Sequence, residues 1–344
     1  MSVIMIILLF MFAINAKVAE SGQYFDDYCS PKKSNALKGI FVMMVFVSHF
    51  RGYVTLTDAD TIAVKVVSFL GQQMVAPFLF YSGYGVVESI KKKGLPYVKK
   101  LPVHRALKTL LHFDIAVLFF LLMRFILRKP TTLSTFLLAL VGWTSLGNSN
   151  WYIFAMVALY LITAISFFLF RKNHYLAAVC VTALSLVLIL LLTPYRPNYC
   201  YNTILCYVMG VWYSLLREHV EKIVMRNDII YCLALVFFFM SHHWIGERSQ
   251  WNDWAYQIYA MLFVVLLVGA SMKVSLDNAI LQFLGKHTFS IYILQRLPMW
   301  FLSSKGVYYD DNVSLFIISF LITCAMAVAF DSAMQKLDNH IFGK

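Results

Sequence analysis

Apolar residues run along this chain in long blocks, and polar residues fall in short groups between them. A helix needs about 20 apolar residues to cross a bilayer. Runs of that order occupy 39–57, 64–88, 109–127, 150–170, 175–193, 201–217, 228–245, 254–272, 287–303 and 313–334. The pattern predicts an all-α fold, a polytopic integral membrane protein with about ten transmembrane helices. The stretch TTLSTFLLALVGWTSLGNS, 131–149, is apolar for too few residues before its glycines and reads as one short or re-entrant helix. The opening MSVIMIILLFMFAINAKVAES has an apolar core and the small residues Ala13, Ala16 and Ala19, but no basic residue precedes that core. Three readings stay open for it: an extra membrane helix, a cleaved signal, or a segment that adds little to the fold. Residues 1–33 are set apart as this hydrophobic segment and a lead-in. Residues 34–344 form a single membrane domain, with no long linker and no repeat.

Composition agrees. Of 344 residues, 60% are hydrophobic and 13% charged, against about 25% charged in an ordinary soluble domain; mean hydropathy is +0.71. The net charge of +12 would suggest nucleic acid in a soluble protein. Here the basic residues sit in the connections between apolar runs, as orientation in a membrane requires, so membrane lipids and not nucleic acid are the expected partners. If the segment before residue 38 is cytoplasmic, alternate connections on that side collect 20 of the 29 Lys and Arg residues, with the densest group between Lys91 and Lys108. Counting 131–149 as a full span would invert everything after it and put Arg171 and Lys172 outside. The six cysteines lack metal-ligand spacing, and most fall in apolar runs where cysteine acts as a small hydrophobe. No metal site is expected.

Two polar residues stand out in the first run, ALKGIFVMMVFVSHF. Lys38 and His49 are eleven residues apart, which on a helix is three turns plus roughly 20°, so they share a face about 16 Å apart. With Lys38 at the cytoplasmic mouth, His49 is expected near mid-membrane. An imidazole there suits general acid–base work on a hydroxyl, and a lysine at the mouth suits a phosphate. The bland alternatives are a histidine bonded to a neighbouring helix and a lysine that only orients the span.

A second signal is FLFYSGYGVVESIKKKGLPYVKKLPVHRALKTL, 78–110. Ser82, Gly83 and Gly85 permit close helix contact. Seven basic residues follow with no acid between Glu88 and Asp114. Arg105 and Lys108 are three apart and share a helix face. Together with Lys38 they form a candidate phosphate clamp; attraction to anionic headgroups would explain the same cluster without one.

These residues resemble the membrane-bound acyltransferase-3 family of integral-membrane O-acyltransferases. The similarity lies in ALKGIFVMMVFVSHF, FLFYSGYGV, NWYIFAMVALY at 150–160 and LGKHTFSIYILQ at 284–295, and spans most of 34–330. It implies an O-acyltransferase of the cell membrane, multi-pass, in a bacterial inner or plasma membrane. The activity implied is transfer of an acyl group, acetyl from acetyl-CoA foremost, to a hydroxyl of a cell-surface carbohydrate or lipid-linked glycan. Acyl-CoA would be a substrate, with no permanently bound cofactor. His49 would be catalytic, as general base. Lys38, Arg105 and Lys108 would bind the donor, Lys108 standing where the family often has arginine. Gln295 stands where members commonly carry histidine, and a glutamine cannot titrate at neutral pH. Ser82, Tyr84, Trp151 and Tyr152 are candidates for holding the acceptor, although Trp and Tyr are also at home at membrane interfaces. The alternative from another class is a transporter or flippase for a lipid-linked or small anionic substrate. Asp114 is the main acid available to it.

Overall fold

The computed structural model describes residues 1–250, 252–304 and 311–343. In chain order its helices are α1 (Ser2–Ala13), α2 (Pro31–Phe50), α3 (Thr61–Leu70), α4 (Ala76–Lys93), α5 (Leu95–Leu101), α6 (Lys108–Ile126), α7 (Leu133–Leu140) and α8 (Trp151–Leu169). The second half holds α9 (His174–Leu192), α10 (Leu205–Val224), α11 (Asp228–Ser249), α12 (Asp253–Lys273), α13 (Ala279–Lys286), α14 (Thr288–Leu294), α15 (Arg296–Ser304) and α16 (Asn312–Ile341). Polar residues set the helix starts. Ser30, Thr132, Asn173, Asn227, Asn252, Asn278 and Asp311 each accept from a backbone N–H of the first turn, satisfying donors that have no partner within the helix.

Among the described residues, seven helical segments are long and apolar enough to cross a membrane: 61–93, 95–126, 151–169, 174–192, 228–249, 253–273 and 312–341. Their outward faces are apolar, with Phe125 81% and Ile229 73% exposed, a surface that lipid solvates and water does not. The chain is therefore an all-α, polytopic membrane protein. The other three expected spans take a different form. Helices α2 and α10 are each 20 residues long but carry too many polar side chains for that class. The run 287–303 is divided between α14 and α15 at Gln295 and Arg296. The stretch 131–149 is the short helix α7 followed by turns, with Gly142 and Gly147 at positive φ.

Connections gather at two poles. At one, the strand Lys17–Val18 pairs antiparallel with Val274–Ser275, Lys33 bonds Ser275, Lys91 bonds the Ser214 carbonyl and Lys108 bonds Asp338. This basic pole holds the lysine cluster of 91–108. At the other, Arg296 bonds Tyr53, Asn312 bonds the Thr55 carbonyl and Tyr201 bonds Asp253. Helix α1 packs Ile4, Met5, Leu8 and Phe12 into the core, and Asn278 holds the carbonyls of Met11 and Ile14 at its end.

Glycines bring the site-bearing helices together. A Cβ on Gly39 of α2 would strike the backbone of Leu281 in α13, and one on Gly285 would strike Asn35 in return. Gly83 of α4 and Gly210 of α10 make the same reciprocal contact with Tyr207 and Phe80. Gly85 has nothing within 4 Å of such a Cβ, so of the two glycines in SGYG only the first is a contact.

Candidate active site

Between these helices, at the basic pole, lies a cavity of about 670 Å³. Its wall takes Lys38 from α2, Ser82 from α4, Lys108 from α6 and Tyr152 from α8. Arg105 enters from a single π turn, 102–107, that joins α5 to α6. Pro102 has no N–H to give the α-helical ladder, and the ladder widens there. Lys38 and Arg105 lie close enough to repel one another. Arg105 lies beside Tyr97, and among the described residues neither cation has a carboxylate partner. Ser82 lies beside both Tyr152 and Tyr160. A second cavity of about 600 Å³ adjoins the first, sharing Lys38, Ser82, Arg105 and Tyr160. Tyr84 lines this second one, its hydroxyl accepting from Arg217 at 2.9 Å.

His49 stands beyond the first cavity and lines neither. Helix α2 begins at Pro31, so Lys38 is already two turns inside it and His49 sits in its last turn. The pair lies farther from the basic pole than a mouth-and-middle placement would have it. The His49 Nδ1 is 3.4 Å from Ser149 Oγ, long for a hydrogen bond. Ser149 also lies beside Tyr292, which lines the cavity and meets the Tyr152 ring edge-on at 5.4 Å. Tyr292 and Ser149 thus stand between the cavity and the imidazole. A chamber with two cations that lack carboxylate partners, and an imidazole beyond it, is an arrangement suited to an anionic donor with a reactive end.

The family model of the Acyl_transf_3 acyltransferase domain matches residues 32–331. The chain belongs to this acyltransferase family. No curated protein matches it, and no solved structure does. Membership makes acyl transfer its activity. Asp114, the acid a transporter would need, lines neither cavity of the acyltransferase.

The structure sorts the residues singled out in the sequence. Lys38, Arg105, Lys108, Ser82 and Tyr152 come together in one wall, but Lys108 differs from the other two cations. Its Nζ is 2.6 Å from Asp338 of α16, whose other oxygen meets His112 at 2.9 Å. Trp151 lines neither cavity and packs edge-on against Tyr152, ring centres 6.0 Å apart. Gln295 is fully buried and donates to the Tyr292 carbonyl at 3.1 Å. Among the described residues there is no cluster of three or more metal-ligating side chains.

Three residues near His49 escaped sequence reasoning. Ser149 touches it from 100 residues away. Asn148 beside it is 2% exposed. Its carboxamide oxygen accepts from Leu146 N and from Ser145 Oγ, while its nitrogen has no partner. Nothing in the local sequence marks either. Arg296 is different: an arginine inside the apolar run 287–303 is itself a signal.

Proposed function

We propose that this acyltransferase moves an acyl group, acetyl from acetyl-CoA, to a carbohydrate hydroxyl, with His49 as the base. The observation that carries the reading is the pair Lys38 and Arg105, two cations without carboxylate partners in one cavity wall. A coenzyme A phosphate group supplies the missing charge, Arg105 offering a fork and Lys38 a point charge. Lys108 adds to this only by exchanging Asp338 for phosphate. The thioester arm then passes Tyr152 and Tyr292 toward His49. Tyr152 and Ser82, acceptor-side candidates by sequence, line the donor cavity and lie on this path. Tyr84 belongs with the donor in the second cavity, and Trp151 supports Tyr152 from behind. The acceptor, a surface or lipid-linked glycan, reaches His49 from the pole opposite the basic one.

The neutral imidazole takes the proton of the acceptor hydroxyl as its oxygen bonds to the thioester carbon. When the tetrahedral intermediate collapses, the C–S bond breaks and the imidazolium returns the proton to the leaving thiolate. General acid–base assistance is worth about 10²–10⁴ in rate. His49→Gln keeps hydrogen-bonding capacity and loses the titration. With labelled acetyl-CoA and the glycan fraction of the parent cells, the variant is expected to lose transfer by about that factor while coenzyme A binding holds. Near-normal transfer by His49→Gln would make His49 a packing residue.

A further inference from the structure

Arg296 lies at the break between α14 and α15, with Leu294, Leu297 and Met299 buried around it. Its Nε donates to the Tyr53 hydroxyl at 3.1 Å, and its guanidinium carbon is 5.8 Å from the centre of that ring. Tyr53 belongs to the turn 51–53 that ends α2, one helical turn past His49. The guanidinium is within electrostatic range of both His49 and Tyr292. Three other cations of this bundle have acids: Arg217 has Glu221, Lys108 has Asp338 and Lys273 has Asp228. Among the described residues Arg296, like Lys38 and Arg105 in the cavity wall, has none. A permanent charge in a membrane bundle is costly without a counter-ion. The donor phosphates do not provide it, because Arg296 lines neither cavity.

We propose that Arg296 is a catalytic residue whose guanidinium carries the oxyanion formed during acyl transfer, a role that rests on the donor and base assigned above. As the acceptor oxygen bonds to the thioester carbon, the carbonyl π pair moves onto oxygen and the hydroxyl proton goes to His49. The new negative charge then appears beside a cation that has no carboxylate partner and is fixed by Tyr53. When the carbonyl re-forms and the thiolate leaves with the His49 proton, the guanidinium is left as it began. A fixed donor aimed at charge that exists only in the intermediate lowers the barrier without tightening substrate binding. Binding an anionic group of the acceptor is the rival role, and it predicts the opposite split between kcat and KM.

The test uses the full-length protein in nanodiscs, labelled acetyl-CoA and the glycan fraction of the parent cells. Arg296→Gln is expected to lower kcat by about a hundredfold to a thousandfold, with the KM for glycan and the Kd for coenzyme A within about twofold. Arg296→Lys is expected to recover part of the rate, and Tyr53→Phe, which frees the guanidinium but keeps its charge, to lose about tenfold. An unchanged kcat in Arg296→Gln overturns the proposal, as does a raised acceptor KM at constant kcat, which makes Arg296 an acceptor anchor. Should Arg296→Gln fail to bind coenzyme A as a folded protein does, Arg296→Lys decides, and wild-type kcat in that variant overturns the role. A wild-type protein inactive with acetyl-, propionyl- and succinyl-CoA alike overturns the donor assignment and this role with it. That failure is seen in the unmodified chain, so the two are told apart.

Discussion

Arg105 and Lys108 are three residues apart and line one cavity, yet their charges are not equally available. Arg105 lies beside a tyrosine and has no acid, whereas Lys108 already holds Asp338 at 2.6 Å. An incoming phosphate gains a full charge-assisted contact at Arg105. At Lys108 it must first displace a carboxylate, and most of the gain cancels. Arg105→Gln should therefore weaken coenzyme A binding by about 1–3 kcal/mol, roughly fivefold to 150-fold. Lys108→Gln should cost less than about threefold. Asp338→Asn should tighten binding, since it leaves Lys108 uncompensated beside the cavity. Calorimetric titration of the three purified variants with coenzyme A checks this. Equal losses at Arg105 and Lys108 would mean that Asp338 does not compete.

At the scale of elements, two glycines two residues apart make a sharp comparison. Gly83 faces α10 so closely that a Cβ would strike the Tyr207 carbonyl, while Gly85 faces open space. The obstacle at Gly83 is helix backbone, which cannot swing aside. Gly83→Ala should destabilise the protein by about 1–3 kcal/mol through overpacking and disturb the α4 surface that presents Ser82. Gly85→Ala should be neutral or slightly stabilising, because alanine favours helix. Thermal unfolding of both variants in one detergent reads the difference, and equal midpoints would mean that α4 and α10 are not in contact there.

The sequence carries less of this arrangement than the prediction of two interchangeable glycines implied. Hydropathy alone locates the apolar blocks, because each span must satisfy its own backbone within itself. Helical period alone aligns Lys38 with His49 on α2, since both lie on one element. Where the site depends on pairs that only folding brings together, the sequence is mute. Ser149 lies 100 residues from His49, Tyr53 lies 243 from Arg296, and the acid that occupies Lys108 lies in the last helix. The division of 287–303 into α14 and α15 has a local signal: Pro298, in the first turn of α15, has no N–H to give the Leu294 carbonyl, and the polar pair Gln295 and Arg296 stands just before it.

The whole molecule has a polarity that the site requires. The lysine-rich connections, the two cavities and the start of α2 lie at one pole, with Arg296, Tyr53 and the turns after α7 at the other. Excess Lys and Arg marks the cytoplasmic face of a membrane protein, which is also where coenzyme A is found, so charge and chemistry demand the same orientation. Single cysteines introduced between 91 and 108 and between 217 and 226 should react with a membrane-impermeant maleimide only in inverted vesicles. Cysteines between 305 and 312, most of which lie outside the described residues, should react in intact cells. The native thiols leave the assay readable. Burial pushes the Cys29 thiol up to about 12 even with Arg217 nearby, so at neutral pH it stays a thiol and does not react. Exposed Cys232 is replaced beforehand. Labelling of 91–108 from outside the cell would turn both cavities away from the cytoplasm and leave Lys38 and Arg105 facing a compartment without the donor. The acyl-CoA assignment would then fall along with the orientation, even if His49 still proved essential.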